Sequence, residues 1–216
     1  MKKFLIAYSC LVCLAACSVP AVSDKALLLY ARSRGFYRDG RFSETAKLLA
    51  AEENFVPALV LRGKAQYLCG DLDAAGKTLK RALALKAHDA EASLFLARVF
   101  RESGNRNEAQ KLAEKILGDN PSDIRALRFT AELAAERGPS GEAASAALLD
   151  RAAEASLAVS AEAAMVFLDR ARLRWKGGNR EGALEDLRRS RVLLSEDGPV
   201  LRAVEKLESV IREVSR

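Results

Sequence analysis

Few residues in this chain could carry out covalent or metal chemistry. His88 is the only histidine among 216 residues, and it stands beside Asp89. A catalytic triad needs a base held against a nucleophile and an oxyanion site, and no Gly-x-Ser-x-Gly segment is present. His88 therefore reads as a solvated turn residue. Gly63-Lys64 has the ending of a phosphate loop, but Ala58 stands where the first glycine belongs and Ala65 where a Ser or Thr belongs. Carboxylate pairs such as Glu52-Glu53 lie on polar stretches that nothing places in a cleft. A zinc site would need several His and Cys ligands together. Cysteines occur at 10, 13, 17 and 69, and only Cys69 lies outside the amino-terminal region. The sequence thus predicts no enzyme, no cofactor and no metal centre.

The amino terminus does carry a chemical signal. Lys2 and Lys3 precede an apolar run from Phe4 to Leu14. That is the pattern of a secretory signal, too short to cross a bilayer as a helix. Leu14-Ala15-Ala16-Cys17 resembles the bacterial lipobox. The resemblance implies cleavage before Cys17 and diacylation of its sulfur, with residues 1–16 as the signal peptide and 17–25 as lipidated cysteine and tether. Two or more acyl chains anchor stably where one is marginal. The alternative is an ordinary cleaved signal, for which Leu14 is a poor residue three before the cut. Ser18, rather than aspartate, follows the cysteine. By the Gram-negative sorting rule this implies an envelope protein of the outer membrane, held through its lipid.

Cleavage lowers the formal charge from +6 to +4, because Lys2 and Lys3 leave. That is mildly basic, and with export it argues against nucleic acid as a partner. Cys69 is then the only thiol left without a lipid, so no intramolecular disulfide can form. Helix packing must supply the stability, and Cys69 is expected to be packed or half-packed.

The rest of the chain reads as paired helices. Gly70, Gly104 and Gly138 are 34 residues apart, with Gly40 and Gly178 at spacings of 30 and 40 beyond them. Each glycine closes a helical pattern, where a left-handed residue is needed. In the clearest unit, Ala90 to Asp123, one helix carries Leu94, Leu96, Ala97 and Phe100; after Gly104 a second carries Ala109, Leu112, Ala113, Ile116 and Leu117, and Pro121 ends it. A period of 34 is the length of a helix–turn–helix repeat. Ala97, Phe100, Gly104, Ala109 and Pro121 resemble the small, aromatic, turn, small and proline positions of the tetratricopeptide repeat. The neighbouring units match less fully, with an insertion of about two residues read around Pro139 to Gly141. The expected fold is all-α: a right-handed solenoid of about five such units over residues 26–197, then a capping helix over 198–216. In that cap Val200, Val204, Leu207, Ile211 and Val214 form one apolar stripe.

In tetratricopeptide proteins the first helix of each unit lines a concave face that holds another protein. Carrying the groove positions across gives a partner-binding set of Tyr30, Arg34, Tyr37, Lys64, Tyr67, Arg98, Arg101, Arg128, Arg172 and Trp175. The same positions include Val60, Leu94 and Leu168. Arginine and aromatics dominate binding hot spots, and guanidinium forks suit carboxylates. The resemblance therefore implies a membrane-anchored adaptor for a protein or peptide, acidic in character. The competing reading is a structural envelope protein whose basic face meets cell-wall polymer or anionic lipid. The sequence leaves the oligomeric state open.

Overall fold

The computed structural model describes residues 22–156, 161–194 and 198–213. The lipobox, Cys17 and the cap residue Val214 lie outside them. The described residues form helices α1 (Asp24–Arg38), α2 (Phe42–Leu48), α3 (Val56–Leu68), α4 (Leu72–Leu85), α5 (Ala90–Glu102) and α6 (Arg106–Asp119), then α7 (Ile124–Ala135), α8 (Pro139–Ala155), α9 (Ala161–Lys176), α10 (Arg180–Val192) and α11 (Pro199–Glu213). The chain is an all-helical solenoid. The odd-numbered helices to α9 and the even-numbered ones after them make five antiparallel pairs, and α11 covers the last.

Local chemistry fixes the turns. The described residues with positive φ are Gly40, Gly70, Gly104, Gly138 and Gly178, the five read from the sequence as turn glycines. At four of them the residue after the glycine donates its N–H back to a carbonyl five residues earlier, as Asn105 does to Phe100 at 2.8 Å. This is the six-to-one bond of a Schellman motif. The turn at Gly138 cannot form it, because Pro139 has no N–H. Here α8 begins at once, with Pro139 in its first turn. The residues read as an insertion, Pro139 to Gly141, form the first turn of α8, which continues to Ala155. Entry into several helices is fixed by side-chain caps: Asp71, Asp89, Asp123 and Asn179 each accept an N–H from three residues on, at 2.9–3.1 Å.

The core is a string of clusters that share helices. Leu59, Leu79 and Leu96 join α3, α4 and α5; Ala97, Ala113 and Phe129 join α5, α6 and α7; Leu127, Ala152 and Val166 join α7, α8 and α9. No unit buries its apolar face alone, which is the energetics of a repeat array. Close approach demands small residues: a Cβ on Gly63 would lie 2.6 Å from Leu79 Cγ. The cap behaves as its stripe implies. Val204 and Ile211 are fully buried, and Val200 and Leu207 pack beside them against α9 and α10. Cys69 departs from expectation: it is exposed, because it terminates α3 at the turn rather than facing a neighbouring helix.

Candidate ligand-binding face

Successive odd-numbered helices meet along one side of the solenoid, with α1 against α3, α3 against α5, and α7 against α9. The residues assigned to this side divide into two groups.

The first group surrounds Phe95 on α5. Tyr67 meets its ring edge-on at 5.9 Å between centroids. Lys64 places Nζ 5.1 Å from the centroid of Phe95 and 5.1 Å from that of Tyr37, while donating to Glu91 Oε1 at 2.6 Å. Arg98 lays its guanidinium 4.8 Å over the Phe95 ring. Burial pushes the Arg98 pKa below its ordinary value, with Glu132 and the Tyr67 hydroxyl acting the other way. Burial also raises the Tyr37 phenol, helped by Glu91 and opposed by Arg98. These shifts place Tyr37, Glu91 and Arg98 in one electrostatic neighbourhood. Tyr30 and Tyr37 also do structural work: they pack edge-on against Phe55 and Phe42 and hold α1 to its neighbours. Tyr30 and Lys64 line a cleft of about 330 Å³ with Val56, Pro57, Val60 and Glu91.

The second group is an ion-pair ladder between repeats. Arg101 donates to Glu132 at 2.6 Å on the next odd helix, and lies within 4.0 Å of Glu136. Burial works against its charge, but hydrogen bonds to Glu132 and Glu102 leave its pKa raised. Arg128 is only 9% exposed and donates from Nε and Nη2 to Asp169 Oδ2 at 2.9 and 2.6 Å. Arg172 donates to the other oxygen of Asp169 at 3.2 Å. Between α7, α8 and α9 lies a cleft of about 350 Å³. Its floor is Ala131, Ala135, Leu149 and Leu173, and Arg128, Glu132, Asp169, Arg172 and Lys176 ring its mouth.

Of the apolar residues carried onto the face, Leu94 and Leu168 are buried in the core, and Val60, also buried, reaches only the cleft beside Tyr30 and Lys64. In α5 the side chain among the groove residues is Phe95, one position past Leu94. Trp175 packs into the cluster shared by α9, α10 and α11 and does not join the Phe95 group. Arg34 is exposed on α1. Sequence reasoning did not assign Phe95, Glu91 or Asp169. The available signal for Phe95 was a large aromatic inside the helical stripe of α5. Glu91 and Asp169 gave none, since their partners stand 27 and 41 residues away. His88 is exposed in the turn before α5, with Nδ1 2.8 Å from Asp119 Oδ2. Among the described residues no group of His, Cys, Asp and Glu is placed to hold a metal.

Residues 68–133 match the family model of the tetratricopeptide repeat. The fold is a tetratricopeptide solenoid. A thermophilic tetratricopeptide-repeat protein of Thermus thermophilus superposes with a TM-score of 0.71 at 14% identity, covering 84% of this chain and 97% of that one. Cut9, in the Cut9–Hcn1 hetero-tetramer of the APC/C, gives 0.70 at 16% identity over 87% of this chain and 37% of its own. PilF of Pseudomonas aeruginosa gives 0.61 at 21% identity over 73% of this chain and 69% of its own. At these identities the likeness is one of fold. No curated protein matches the chain in sequence. The matched family model describes an interaction repeat rather than a catalytic domain, and the tetratricopeptide fold supports binding of protein partners.

Proposed function

We propose that this chain is an envelope adaptor, anchored through a lipidated Cys17, that holds a protein partner on the face built by α1, α3, α5, α7 and α9. The observation that carries the reading is Arg98. Lys64, Arg101, Arg128 and Arg172 already have carboxylate partners within this chain. Arg98 is partly buried, stacked on an aromatic ring, and makes no hydrogen bond or ion pair within 4.0 Å among the described residues. A partly desolvated guanidinium with no carboxylate in contact is held at a cost, which an incoming carboxylate relieves. The ladder narrows the expected ligand. The face does not present a broad positive field; beside the rings of Tyr37, Tyr67 and Phe95 it offers the Arg98 guanidinium as a hydrogen-bond donor. A peptide with one well-placed acidic side chain and an apolar or aromatic neighbour fits it better than a polyanion.

Crosslinking in cells followed by affinity capture tests this. Arg98→Ala should lose the partner that the native chain captures, since a charge-assisted hydrogen bond contributes about 1.5–3 kcal/mol, or roughly tenfold or more in affinity. Lys77→Ala, on the exposed side of α4, should retain it. Equal capture by Arg98→Ala, with helicity unchanged, sinks the proposal.

A further inference from the structure

The first helix presents a face that no other element among the described residues covers. Ala26 and Ser33 turn α1 toward α2 and α3 and are buried. On the opposite side Leu28 is 72% exposed and Leu27 46%, with exposed Ala31 one turn on. Single exposed leucines are ordinary on protein surfaces, but these three residues adjoin on one helical face. Basic side chains flank the strip. Helical geometry sets Lys25 and Arg32 along one edge and Arg34 and Arg38 along the other. Asp24, in the first turn, shares the strip's face, three and four residues before Leu27 and Leu28, at the end of the helix nearest Cys17, and Asp39 lies 3.8 Å from Arg38. An apolar strip between basic edges matches the boundary of an anionic bilayer, where apolar side chains enter the acyl region and cations meet phosphate headgroups.

Chain length gives the second argument. Asp24, the first residue of α1, lies seven Cα–Cα steps after Cys17, and a fully extended chain spans at most ~3.6 Å per step, or about 25 Å. An acyl-anchored Cys17 would therefore keep the start of α1 within about 25 Å of the membrane surface in any conformation.

We propose that the outer face of α1, with Leu27 and Leu28 between its basic edges, lies on the anionic bilayer that holds Cys17, so that the solenoid stands on its first helix instead of swinging on a tether. The inference rests on the lipid anchor proposed above. Membrane contact then supplies the cover that an uncapped first repeat lacks, and it leaves the cap end, α11, toward the aqueous side.

The test uses the full lipidated protein in a Cys69→Ser background, reconstituted into phosphatidylcholine vesicles with or without phosphatidylglycerol. An environment-sensitive fluorophore is placed at Leu28→Cys or, as control, at Leu85→Cys, an exposed position at the end of α4. Expected is a blue-shifted Leu28 probe, quenched several-fold more by spin-labelled phospholipid than the Leu85 probe. The difference should be larger with phosphatidylglycerol, and smaller at about 0.5 M salt, where screening shortens to a few ångströms. If the protein floats with the vesicles but both probes are quenched alike, the membrane face is wrong and the anchor stands. If it does not float, the anchor fails and this inference fails with it. If the Leu28 probe shifts blue in detergent as protein concentration rises, and ignores lipid quencher, a second copy of the chain covers the face and the proposal is overturned.

Discussion

Asp186 on α10 is wholly buried, and three guanidinium contacts converge on it. Arg170 donates from Nε to Oδ2 at 2.9 Å and from Nη2 to Oδ1 at 2.7 Å, and Arg174 reaches Oδ2 at 2.9 Å. Removing one partner of a buried, hydrogen-bonded ion pair costs about 3–5 kcal/mol, because the other charge stays behind without compensation. Two features argue for the lower end. Arg170 keeps a second carboxylate, Asp150, at 2.8 Å, and the partly exposed Arg174 can turn to solvent. Asp186→Ala should therefore cost about 3 kcal/mol, which for a domain of this size lowers the melting temperature by roughly 6–12 °C. Far-UV circular dichroism on heating reads the loss. The double variant Arg170→Met with Asp186→Leu should recover most of it, because well-packed apolar residues can replace a buried pair at little cost. An Asp186→Ala protein that melts within about 2 °C of the native one would refute the reasoning. So would a double variant less stable than the single one. The result bears on the candidate site, since α9 carries both Arg170 and the Asp169 that holds Arg128.

Two glycines make a matched pair of predictions. A Cβ on Gly141 would lie 1.8 Å from the Ala134 carbonyl oxygen, so Gly141→Ala must force α8 off α7 and should destabilise by about 2 kcal/mol or more in urea unfolding. Gly118 has nothing within 4 Å of the same position; it lies inside α6, and Gly118→Ala should gain about 0.5–1 kcal/mol from helix propensity. Acid stability should depend on Asp89. Burial opposes its charge, but the Ala92 N–H and Lys86 outweigh it and hold the carboxyl below its ordinary 3.8. The lowered folded value means that its contribution is full above pH 3.8 and lost as pH falls through that lower value. Asp89→Asn keeps the helix cap, so the melting-temperature gap to the native chain should be open near pH 6 and close on acidification to about pH 2; a gap that does not change would contradict this.

Much of the fold was legible because it depends on local constraints. Only glycine enters the left-handed region cheaply, so five turn glycines could be read directly, and helix α5 begins at Ala90, where the clearest unit was placed. The apolar stripe of α11 foretold a cap for the same reason: side chains four apart share a helical face. The turn at Gly138 departs from the other four because Pro139 has no N–H to donate, a feature visible in the sequence only once the Schellman bond is considered. The candidate face was only half legible. The groove positions carried over from the tetratricopeptide resemblance supplied Tyr37, Lys64, Tyr67 and Arg98, but placed Leu94 where Phe95 stands and counted Trp175 with the groove rather than with the cap cluster.

By itself the sequence determined that this chain is a stack of helix pairs, how many there are, and which residue types crowd one side, since period, glycine and apolar spacing act over a few residues of chain. Which of those side chains remain available was decided by the tertiary structure. Arg101 and Arg128 look as free as Arg98 in the sequence, yet carboxylates 31 and 41 residues away neutralise them. A charge finds its partner through space, across the seam between two repeats, and that pairing leaves no local trace in the order of the residues.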